Sequence, residues 1–215
     1  MSAPAPSTTP AVRRALVARG FRLAYTTLAY NAVEAGVAIA AGVAAGSVAL
    51  VGFGADSLIE LTAGAAALWR LRADHDPARR AGAERASLRV VGACFLALAV
   101  YVAADAALAL ARHEAPHESD VGIALAALSA VVMPLLARAK RRVARGMNSD
   151  ALSAEATQTS LCAWLSAILL AGLALNATLG WWWADPVAAL AMVPIMAREG
   201  VQGVRGREAC GECCG

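Results

Sequence analysis

GSVALVGFGADSLIELTAG, residues 46–64, decides the fold of this chain. It lies inside a long apolar run, yet it carries Asp56 and Glu60 four residues apart. Four residues is about one helical turn, so on a helix both carboxylates project from the same face. A soluble amphipathic helix would surround such a pair with further polar positions. Here the flanks are Gly, Ala, Val, Leu and Phe on every face. The stretch therefore reads as a membrane span with two acidic groups inside it, and such groups mark function by default.

The rest of the chain agrees. Of the 215 residues, 59% are hydrophobic and 16% charged, with mean hydropathy +0.57. Soluble domains carry about a quarter charged residues. The apolar surplus falls into six blocks near 22–41, 46–69, 90–111, 121–137, 158–178 and 182–198, each close to the roughly 20 residues that cross a bilayer as helix. The fold expected is an all-α integral membrane protein, a six-helix bundle packed closely through its many Gly and Ala residues. Of the 19 Lys and Arg, all but Arg112 fall in the N-terminal segment, between spans two and three, after span four, or after span six. Basic residues stay cytoplasmic, so both termini are expected there. The net charge of +3 is then a topology signal, and it leaves no case for a nucleic-acid partner. The lipid bilayer is the partner instead, with the bacterial cytoplasmic membrane as the expected location.

Three segments follow from this reading: a disordered cytoplasmic tail over 1–20, a transmembrane domain over 21–198, and a short Cys-containing tail over 199–215. The first apolar run is long and contains Asn31 and Glu34, which excludes a cleavable signal peptide. The outer loop RHEAPHESD, 112–120, reads as a solvated acidic loop or as a weak cation-collecting patch. The five cysteines, Cys94, Cys162, Cys210, Cys213 and Cys214, form no oxidised framework. Cys94 is expected to pack as a small apolar residue. The CGECCG tail offers soft ligands, an S-acylation site, or no function.

The intramembrane polar residues carry the chemistry. Span one holds Asn31 and Glu34, span two Asp56 and Glu60, span three Asp105, and span six opens on Asp185-Pro186. Span five opens with Asp150 and Glu155, followed by Gln158 and Cys162, again one turn apart. Two such pairs on facing helices would converge four side chains on one point, enough for a tetrahedral cation. Asp56, Glu60, Gln158 and Cys162 are thus the candidate metal ligands, with Glu155, Glu34 and Asp105 as secondary candidates. Buried carboxylates that are protonated, or that bond to neighbouring Ser, Thr and Asn, are the simpler account of Glu34 and Asp105. His75, His113 and His117 lie in loops, which leaves an intramembrane hydrolase without its histidine. No enzyme activity is expected.

These residues resemble the cation diffusion facilitator family, the cation efflux proteins. GSVALVGFGADSLIE, 46–60, is similar to the second-helix motif, in which an Asp-x-x-x-Asp pair binds the transported metal. AEATQTSLC, 154–162, matches a fifth-helix motif that reads Ala-Asp-Ala-x-His-x-x-x-Asp in many members. Asn31 and Asp185-Pro186 also sit where the family has matching residues. Glu60 replaces the second Asp, and Gln158 and Cys162 stand where many members have His and Asp. Only residues 199–215 follow span six, so the resemblance is to a short, transmembrane-only member without the cytoplasmic C-terminal domain. It implies efflux of a divalent cation, Zn²⁺ first and then Cd²⁺, Co²⁺ or Fe²⁺, by alternating access with metal/proton antiport in a homodimer. The ion is cargo, and no resident cofactor is expected. A membrane-embedded metal sensor using the same ligands without transport is the rival reading.

Overall fold

The computed structural model describes residues 10–73, 77–113, 116–147 and 150–205. Six helices follow one another: α1 (Pro10–Ala45), α2 (Val48–Ala73), α3 (Pro77–Arg112), α4 (Asp120–Met147), α5 (Asp150–Leu179) and α6 (Ala184–Val204). Among the described residues no strand occurs, and five of these helices are long and apolar enough to cross a membrane. The sixth, α2, carries Asp56 and Glu60. With every backbone group bonded within its own helix, this is the architecture a bilayer permits. The protein is an integral, multi-pass membrane protein.

The helices outrun the apolar blocks. α1 begins at Pro10, inside the segment expected to be disordered, with proline at the first helical position where its missing N–H costs nothing. α4 continues through Arg138–Arg145 to Met147, so the basic residues expected in a loop after span four lie on helix. The end of an apolar block marks the edge of the bilayer, and Arg, Ala and Lys beyond it are good helix formers.

Three connections gather at one end of the bundle. Gly46, at φ +66, turns the chain between α1 and α2. The His117 N–H donates to Ala45 O at 2.8 Å, Asn176 Nδ2 donates to Pro116 O at 3.2 Å, and the His113 and Trp182 rings lie 4.8 Å apart. These contacts tie the α1–α2, α3–α4 and α5–α6 turns together, so the start of α1, the end of α6 and the facing ends of α2, α3, α4 and α5 lie at the opposite end. Asp185, fully buried in the first turn of α6, clamps the start of α2. Ser47 Oγ donates to its Oδ1 at 2.5 Å, and the Ala49 N–H reaches Oδ2 at 3.4 Å. Ser47 also accepts the Leu50 N–H at 3.1 Å, the bond of a helix N-cap.

Laterally, α1, α2, α4 and α5 form one group, while α3 packs most extensively against α6. The α3–α6 seam depends on glycine. A methyl group at Gly92 would sit 2.5 Å from Val204 N and 2.7 Å from Gly200 O, both backbone atoms that cannot swing aside. Gly92→Ala should therefore destabilise the detergent-solubilised protein by about 1–3 kcal/mol, the usual range for overpacking. Gly36→Ala, with nothing within 4 Å, is the control and should stay within about 1 kcal/mol of wild type. Thermal unfolding of the two variants reads the difference.

Candidate metal centre

α2 faces α1 on one side and α5 on the other, and its acidic pair sits where the three meet. Asp56 is 2% exposed, Glu60 9%, and Cys162 of α5 is fully buried. One ligand atom from each of the three lies within 4.8 Å of the others. Ligand atoms around one tetrahedral Zn²⁺ lie about 3.3–3.8 Å apart, given bonds of about 2.0–2.3 Å. Among the described residues this is the one cluster of three or more Asp, Glu, Cys or His side chains with that geometry.

The polar surroundings come mainly from α1. Asn31 Nδ2 donates to Glu60 Oε2 at 3.0 Å and so holds that carboxylate in place. Glu34, 1% exposed, receives Ser57 Oγ at 2.7 Å on Oε2 and Ser129 Oγ of α4 on Oε1. Tyr30 OH lies 2.6 Å from Ser129 Oγ and completes that chain. Cys162 Sγ approaches Glu34 Oε2 at 3.9 Å. Two buried oxygens in this region have no hydrogen-bond partner, Asp56 Oδ2 and Asn31 Oδ1. A buried acceptor left unsatisfied costs about 1–3 kcal/mol, and more when it is charged. A cation bound between Asp56, Glu60 and Cys162 would satisfy Asp56 Oδ2 directly.

The residues singled out in the sequence thus separate. Asp56, Glu60 and Cys162 come together. Glu34 stands against Cys162, closer to the cluster than a lone buried acid needs to be. Gln158 is half-buried one turn before Cys162 on α5. Glu155 is 33% exposed and pairs with Lys140, outside the cluster. Asp105 is only half-buried on α3, where its neighbour is Tyr101 one turn away, and it is not among the clustered residues. Cys94 corrects an expectation: its side chain is exposed on the outer face of α3 rather than packed. His117 is an exposed loop residue and His113 ends α3. His75 and the tail cysteines Cys210, Cys213 and Cys214 lie outside the described residues. Lys140, counted in the sequence among solvated basic residues, is buried at 3% exposure between α4 and α5. Its signal was periodicity: Gly122, Ala126, Ser129, Met133, Ala137, Lys140 and Ala144 form one buried stripe at helical spacing.

Fold and site together are those of an all-helical membrane bundle with two carboxylates and a thiol gathered in its interior. The cation efflux transmembrane domain matches residues 24–205, nearly the whole of the described bundle. The chain belongs to the cation efflux family, whose transmembrane domain moves metal cations across membranes. No curated protein matches it.

Proposed function

We propose that the chain exports a divalent transition metal, Zn²⁺ before Cd²⁺, Co²⁺ or Fe²⁺, through a site made by Asp56, Glu60 and Cys162, in exchange for protons. The observation that carries this reading is the meeting of two carboxylates and a thiol within 4.8 Å in a dry helical junction, with an oxygen of Asp56 unpartnered. Two acids and a thiol that close repel when ionised, and a divalent cation relieves the repulsion. A mixed oxygen and sulfur donor set suits borderline ions such as Zn²⁺ better than Mg²⁺ or Mn²⁺. Proton exchange follows from the donors themselves. Carboxylate and thiol bind metal when deprotonated, so protons arriving from the far side promote release. The basic clusters support cytoplasmic termini, and the family resemblance supports outward transport and a homodimer. Gln158 is the fourth ligand in this scheme by its place on the Cys162 face of α5.

Purified protein in liposomes with an internal zinc indicator tests the reading. An imposed pH gradient should drive Zn²⁺ uptake, and Zn²⁺ should in turn drive proton flux. Saturable binding with no flux of either ion would identify a metal binder instead.

A further inference from the structure

Buried lysine is rare because an ammonium group loses much solvation on leaving water. Lys140 is nevertheless only 3% exposed. Its Nζ donates to Thr159 Oγ1 at 3.1 Å and lies 3.5 Å from Glu155 Oε2. Thr159 lies three residues before Cys162 on α5, so the residue that receives the ammonium is about one helical turn from the one that carries the thiol, on its Arg-rich side. Holding α4 to α5 does not require this arrangement: Arg141 Nη2 already donates to Ser160 Oγ across the same seam at 2.9 Å from a half-buried position.

We propose that Lys140 is a tethered counter-cation for the metal centre, an affinity-setting residue whose fixed positive charge opposes the bound divalent ion and thereby keeps it releasable. This rests on the assignment of Asp56, Glu60 and Cys162 as the ion site. Glu34, Asp56 and Glu60 bring three carboxyl groups to one junction, and each one that ionises adds to the attraction on a divalent ion there. A positive charge near it, unable to leave because it is covalently attached, weakens binding without displacing any ligand. Glu155 moderates the effect by drawing the ammonium toward the open end of α5. The two partners should therefore act in opposite directions on affinity, which a merely structural ion pair would not do.

The test is Zn²⁺ titration calorimetry on the full-length chain in detergent, with the Asp56→Ala protein as the baseline that subtracts binding to the tail thiols. Lys140→Met should tighten the Asp56-dependent binding roughly tenfold or more, and Lys140→Gln, which can still bond Thr159, should do the same. Lys140→Arg keeps the charge and should stay within about threefold of wild type. Glu155→Gln should weaken binding by about threefold to tenfold. The Lys140→Met/Glu155→Gln double variant should bind more tightly than Glu155→Gln alone by at least about the factor that separates Lys140→Met from wild type, because the lysine charge acts on the ion with or without its partner. Unchanged or weaker binding in both neutral Lys140 variants overturns the proposal. So does a double variant that binds no more tightly than Glu155→Gln. If wild type and Asp56→Ala bind alike, the ion site itself is misassigned, a different failure from either of these.

Discussion

Asp56→Ala abolishes metal transport, to below about 1% of the wild-type rate, while the helical bundle remains folded. The expectation comes from what Asp56 does and does not touch. It is 2% exposed, its Oδ2 has no hydrogen-bond partner, and it shares a cluster with Glu60 and Cys162. Truncation removes a ligand, and losing even an outer-shell partner commonly lowers metal affinity by about 10–100-fold. It leaves no orphaned donor behind and relieves a buried acid, so stability should hold or rise. Asp185→Ala is the contrasting case. Asp185 is equally buried but fully engaged by Ser47 and Ala49 at the start of α2. Its loss should cost about 1–2 kcal/mol of stability, the scale of a lost cap and buried hydrogen bond, with Zn²⁺ affinity retained. Flux in liposomes and melting in detergent, measured on both variants, separate the ligand from the clamp.

The second large effect concerns selectivity. Cys162→Ser keeps the size of the side chain and removes the one soft donor in the cluster. Cd²⁺ affinity should fall by about 100-fold or more while Mn²⁺ affinity changes little, so the preference between the two collapses. Serine is a better probe here than aspartate, because Glu34 Oε2 lies 3.9 Å from the sulfur and a new carboxylate would meet like charge. Competition binding between Cd²⁺ and Mn²⁺ measures the ratio. An unchanged order would mean that Cys162 only fills space between α5 and α1.

What could be read in the sequence was what depends on neighbours along the chain. Apolar blocks gave six helices, and the four-residue spacing of Asp56 with Glu60 put both on one face. Helix ends were less visible, because the blocks stop at the bilayer while α1 and α4 continue into basic residues. Beyond the convergence of Asp56 and Glu60 with Cys162, contacts between distant residues could not be read. Glu34 meets Cys162 across 128 positions, and nothing in span one says which helix it faces. Asp105 looked equivalent to Glu34 by type and depth, yet it is only half-buried on α3 and outside the cluster. Lys140 was hidden by company: within RAKRRVAR, 138–145, composition suggests water on all sides, and only the buried stripe of α4 singles it out.

The claim that Asp56, Glu60 and Cys162 together hold the ion is tested most directly by zinc X-ray absorption. The protein for it is the full-length chain with Cys210, Cys213 and Cys214 changed to serine, loaded with one equivalent of Zn²⁺. The predicted first shell has one sulfur at about 2.3 Å and the remainder oxygen or nitrogen at about 2.0–2.1 Å, with the sulfur lost in Cys162→Ser and the zinc itself lost in Asp56→Ala. A shell of oxygen and nitrogen alone, the same with and without Cys162, would contradict it.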